Sequence, residues 1–126
     1  MPLMKMMSDL RDIIGQLRWW LFLWCWTTVL WGMYTPGSQT PQLAPGFDKL
    51  VHLLALLAMA FTARWAGSAL PARLFWPGML VLSALLEALQ PVVQPSRTLS
   101  GLDMTANLVG VLLALACWRF RPAWIQ

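Results

Sequence analysis

The chain has 126 residues, of which 59% are apolar and only 11% charged, with 9 tryptophans and a mean hydropathy of +0.60; that leaves too few charges to coat a water-soluble globule and too much apolar surface for disorder. The net charge of +4 and pI near 9.8 do not indicate nucleic acid, because the nine basic residues are scattered singly and build no basic face. A chain of this length holds about four membrane spans of roughly 20 residues each, and no soluble enzyme domain beside them.

The chain opens with Met4, Met7, Leu10, Ile14 and Leu17 at helical spacing, opposite Asp9, Arg11 and Asp12, which predicts an amphipathic lead-in lying at the membrane interface. The first apolar run, 17–34, covers about 27 Å at 1.5 Å per residue, close to the thickness of a hydrocarbon core. It is longer than the core of a cleaved signal peptide and ends in Trp31-Gly32-Met33-Tyr34 without a small-x-small site, so a retained span is expected. Residues 35–47 carry Pro36, Gly37, Pro41, Pro45 and Gly46 and read as an exposed loop.

A second apolar run begins after Asp48-Lys49 and closes on Arg64-Trp65, and a short Gly/Pro turn over 66–73 makes it an antiparallel hairpin with a third run, 74–89. Pro91 and Pro95 are expected to close that third helix, followed by a polar loop over 94–101. The fourth run, 102–118, has Asp103, Thr105 and Asn107 as its polar residues, all in the first two turns. No segment supplies the charged outer face that a soluble bundle would need to cover these runs.

The expected architecture is therefore an all-α, integral membrane four-helix bundle. Residues 1–16 form a cytoplasmic lead-in, 17–119 a four-span domain with spans near 17–34, 49–65, 74–90 and 102–118, and 120–126 a cytoplasmic tail. Lys5, Arg11, Arg18, Arg64, Arg73, Arg119 and Arg121 fall on one side and only Lys49 and Arg97 on the other, which predicts a multi-pass membrane protein with both termini cytoplasmic. Trp19, Trp20, Trp65, Trp76, Trp118 and Trp124 fall at the same inner level, as anchoring indoles do, whereas Trp24 and Trp26 lie deeper. Cys25 and Cys117 fall at different depths and are expected to remain unbridged.

Ionisable groups inside a span are costly and tend to mark function. Here they gather at the outer level of three helices: Asp48, Lys49 and His52 open the second, Glu87 and Gln90 end the third, and Asp103 and Asn107 open the fourth. Their i,i+3 and i,i+4 spacings put each set on one face, and Arg97 hangs over the same end from the connecting loop. Several of these residues have plain structural uses. Asp48 stands where an N-cap belongs, Ser100-x-x-Asp103 resembles a capping box, and Asn107 could bond to a neighbouring helix. Glu87 is harder to explain, since it interrupts an apolar stretch at the negative end of its helix dipole and calls for a partner among Arg97, Lys49 and His52.

The pattern Asp48-Lys49-x-x-His52, Glu87-x-x-Gln90, Arg97, Asp103-x-x-x-Asn107-x-x-Gly110 resembles the VanZ-like family of small membrane proteins over residues 47–116. The tryptophan-rich first helix and both tails fall outside the resemblance, and Gln94-Pro95-Ser96 replaces the aromatic and Gly that members often carry before the Arg. The resemblance implies an envelope protein, some of whose relatives are associated with lowered teicoplanin sensitivity. The residues themselves favour an outward-facing pocket that binds an anionic lipid headgroup or cell-wall precursor, with Arg97 and Lys49 supplying positive charge and Glu87 holding Arg97. Two alternatives stay open: a membrane enzyme using His52 as base on a lipid-linked substrate, and an accessory subunit, alone or as a homo-oligomer, with an internal polar network. No nucleophile motif and no cofactor signature stand beside these residues, and no metal is expected, although a metal-dependent enzyme would draw on His52, Glu87 and Asp103.

Overall fold

The computed structural model describes residues 1–41 and 44–126; of the 35–47 connection, Gln42 and Leu43 lie outside the described residues. Four helices follow in order, α1 (Pro2–Tyr34), α2 (Phe47–Trp65), α3 (Ala72–Val93) and α4 (Gly101–Arg119), with short 3-10 turns at Gly37–Gln39 and Ala123–Ile125 and no strand among the described residues. α2 and α4 form the central pair, α1 packs on α2, and α3 packs on α4.

The close approach of α2 and α4 depends on Gly110, where a Cβ would run into the backbone of Leu53 and Leu57. On α4 the buried face is Asn107, Gly110, Val111 and Ala114, a helical stripe that continues the line of Asp103. The matching stripe of α2 is His52, half-buried, then Leu56, Met59 and Ala60. α3 closes the core with Phe75, Trp76, Met79 and Leu86. Trp76, expected at the interface, is thus a core residue, stacked edge-to-face on Phe75.

Two boundaries differ from expectation. α1 is one continuous helix of 33 residues, because nothing between the amphipathic segment and the apolar run breaks it. At 1.5 Å per residue its first 16 residues project about 24 Å beyond the level of Arg18. α3 runs through Pro91 to Val93, so Glu87 lies well inside the helix and not in its last turn. Pro91 has no N–H to give, which leaves the Glu87 backbone carbonyl without its intrahelical donor.

α3 and α4 are each long and apolar enough to cross a membrane. α1 has a lower mean hydropathy with five tryptophans between positions 19 and 31, and α2 with Asp48, Lys49, His52 and Arg64. Cys25 and Cys117 are free thiols.

Candidate functional site

The helix starts of α2 and α4 and the C-terminal part of α3 meet at the end of the bundle that carries the 35–46 and 94–100 connections, here the loop end. α2 begins at Gly46, whose φ of +84° lies in the left-handed region that glycine enters without penalty. Gly46 and not Asp48 is the N-cap; Asp48 sits in the first turn, where its charge suits the helix dipole. α4 begins at Ser100, whose Oγ accepts the Asp103 N–H at 3.2 Å, as a capping box requires. The reciprocal half is supplied from another helix. The Ser100 N–H donates to Glu87 Oε1 on α3 at 3.3 Å, which leaves the Asp103 carboxylate available for α2.

That exchange organises the site. Lys49 Nζ lies 2.5 Å from Asp48 Oδ2 and 2.6 Å from Asp103 Oδ1, so one ammonium bridges the starts of α2 and α4. One turn deeper, His52 Nδ1 is 3.1 Å from Asn107 Oδ1. The same ring stands 3.8 Å from Glu87 Oε2 through Nδ1 and 3.8 Å from Asp103 Oδ2 through Nε2. Glu87 and Asn107 are both fully buried, at 0% exposure. Glu87 Oε2 and Asn107 Nδ2 have no hydrogen-bond partner among the described residues. A buried polar atom in that state costs about 1–3 kcal/mol, so the arrangement is not what stability alone would select.

Arg97 and Gln90 do not join this cluster. Arg97 Nε donates to the Thr35 carbonyl at 2.9 Å and Nη2 to the Gly32 carbonyl at 3.1 Å, and Gln90 Nε2 donates to the Met33 carbonyl at 2.8 Å. The expectation that Glu87 holds Arg97 is therefore corrected. α1 has no basic residue in its last turn, its terminal carbonyls carry the negative end of the dipole, and Arg97 supplies the missing cation from the opposite loop. Ser96 strengthens that join: its Oγ accepts the Gly37 N–H at 3.2 Å and donates to Gln94 Oε1 at 3.2 Å.

Beside the cluster, between α1 and α2, opens a cavity of about 600 Å³. Its walls are mainly apolar, with Val29, Met33, Val51, Ala55 and Leu56 prominent, and its polar lining comes from Asp48, His52, Gln90, Arg97, Thr28 and Thr40. The eight residues singled out in the sequence thus divide. Asp48, Lys49, His52, Glu87, Asp103 and Asn107 converge, while Gln90 and Arg97 fasten α1 to the loop end and face the cavity. Sequence reasoning overlooked the contribution of α1. Thr28, Gly32 and Met33 line the cavity, and Tyr34 donates its hydroxyl to the Leu86 carbonyl at 3.0 Å. The small and polar set Thr27, Thr28 and Gly32 within a bulky aromatic run was the available signal.

No family model, no curated protein and no solved structure matches this chain.

Proposed function

We propose that the chain is a multi-pass inner-membrane protein of the VanZ-like type, both termini cytoplasmic, whose loop-end cavity binds an amphiphile with an anionic headgroup, such as a lipid phosphate. The observation that carries this reading is the cavity itself. Its apolar walls suit a hydrocarbon chain, and Arg97, Gln90 and His52 contribute to its polar lining. Arg97 already gives two donors to α1 carbonyls, which fixes the plane of its guanidinium, and Nη1 takes no acceptor among the described residues. The Asp48 carboxylate on the same wall is paired with Lys49, which lessens its repulsion of an anion.

The membrane assignment draws on the outward faces. Only 28% of the apolar window of α3, and 28% of that of α4, is buried within the bundle. Leu74, Val81, Leu85, Leu112 and Leu113 point outward, as lipid-facing residues do. The VanZ-like reading rests on the sequence pattern that includes Lys49, His52, Glu87, Asp103 and Asn107.

Lipid extraction and mass spectrometry of the purified protein tests the reading. The parent should carry an anionic amphiphile above the level of its detergent micelle, and Ala55→Phe, which fills the cavity, should lose it. Identical lipid content in the two proteins would remove the proposal. Lys49 bridging Asp48 and Asp103 favours a second reading, a polar network that only fixes helix register. In that case Ala55→Phe alters no ligand, and Lys49→Met alters stability alone.

A further inference from the structure

We propose that His52, Glu87 and Asp103 form a binding site for a divalent transition-metal ion of the zinc and manganese class, held between α2, α3 and α4. The three side chains each offer one ligand atom, and those atoms lie within 4.8 Å of one another. An imidazole nitrogen with two carboxylate oxygens is a donor set suited to such ions, and three protein ligands leave coordination positions open. Side-chain shifts on the order of 1 Å bring all three donors to the bonding distance of about 2.0–2.2 Å from one centre.

Three further features bear on these atoms. Asp103 divides its oxygens: Oδ1 receives Lys49 at 2.6 Å, while Oδ2 is turned to His52. Asn107 Oδ1 at 3.1 Å from Nδ1 favours the tautomer with the proton on Nδ1, so that the lone pair of Nε2 faces Asp103 Oδ2 across 3.8 Å. A hydrogen bond from the far ring nitrogen is the usual way a metal-binding histidine is oriented. Glu87 Oε2, fully buried and without a hydrogen-bond partner among the described residues, is aimed at the same ring. Glu87 meets that ring on its Nδ1 side, yet one donor atom from each of the three residues lies within 4.8 Å of the others, and a cation between them offsets the repulsion of the two carboxylates.

Charge balance agrees. Asp48, Glu87 and Asp103 bring three carboxylates to the loop end against the ammonium of Lys49, while Arg97, the other cation there, bonds α1 carbonyls and pairs with none of the three. A dication compensates the remaining negative charge in a setting where an uncompensated buried charge is expensive.

The site does not depend on the amphiphile reading, and its test uses a separate measurement. The full chain, purified without a histidine tag and stripped with chelator, is titrated with Zn²⁺ and with Mn²⁺, and bound ion is counted by elemental analysis and by the Mn²⁺ spin-resonance signal. About one ion per chain is expected. Glu87→Gln and Asp103→Asn should each weaken binding at least tenfold, Asn107→Ala about 10- to 100-fold as an orienting residue, and Asp9→Asn not at all.

His52 is the only histidine in the chain, so a second measurement needs no variant. Saturating Zn²⁺ should protect its ring from carbethoxylation by diethyl pyrocarbonate in the folded parent. Failure of the parent to hold an ion at stoichiometric level, absence of that protection, or unchanged binding in folded Glu87→Gln and Asp103→Asn would each overturn the proposal.

Discussion

The two ends of the bundle treat their charges differently. At the end with the 66–71 turn and the C-terminus, arginines lie on aromatic faces: Arg18 over Trp65 at 5.3 Å, Arg64 over Phe75 at 5.2 Å and Arg121 over Trp118 at 4.1 Å. Two of these also donate to nearby carbonyls, Arg64 to Leu70 and Arg121 to Trp118, each at 2.7 Å. These contacts pair a cation with a ring and not with another charge, Arg18 joining α1 to α2 and Arg64 joining α2 to α3, and they suit residues that orient helices at an interface. At the loop end the charges meet one another across three helices, and two fully buried side chains keep an unsatisfied atom there. One end anchors the fold, and the other holds polar groups in excess of what anchoring requires.

Substitutions at each end bear on that contrast. The largest effect is expected for Gly110→Leu, which forces α2 away from α4, separates His52 from Asn107 and Lys49 from Asp103, and should lower stability by at least about 3 kcal/mol. Thermal unfolding in detergent reads it, and a normal melting temperature would show that the close approach at Leu53 is dispensable. Next comes Lys49→Met, which leaves Asp48 and Asp103 without their cation and should lower the melting temperature, part of the loss being restored when Asp103→Asn is added. A double-mutant cycle with no coupling would mean that the bridge is not shared between the helices.

Arg97→Met should cost about 1–2 kcal/mol through the loss of two charged hydrogen bonds to the end of α1, and amide exchange should rise in residues 30–35 before it rises in α4. The smallest effect belongs to the opposite end. Arg121→Gln should change stability by no more than about 1 kcal/mol, the range of a half-buried cation–π contact. A large loss there would erase the distinction between the two ends.

Much of this was legible because helical periodicity and polar interruption are sequence-local signals. Four helices followed from the apolar runs and their Gly/Pro connections. The convergence of His52, Glu87, Asp103 and Asn107 followed from i,i+3 and i,i+4 spacing and matched depth. What failed had non-local causes. Arg97 and Gln90 bind backbone carbonyls of α1, and a carbonyl leaves no trace in residue identity. Pro91 was read as a stop, yet α3 continues for two residues past it, because a proline near a helix end costs only a bond that the last turn can forgo. The join between lead-in and span in α1 was invisible because no breaker marks it.

The hydrogen bond from the Ser100 N–H to Glu87 Oε1 has a bearing on how the chain assembles. α2 packs far more extensively on α4 than on α3, its neighbour in sequence. When synthesis has delivered only the α2–α3 hairpin, Glu87 lacks its Ser100 donor, and the α2 stripe of His52, Leu56 and Ala60 lacks its cover. Both wants are met by one event, the arrival of α4. A nascent chain released before position 100 should thus present a half-built, protease-sensitive intermediate, and the last helix acts as the latch that completes biogenesis.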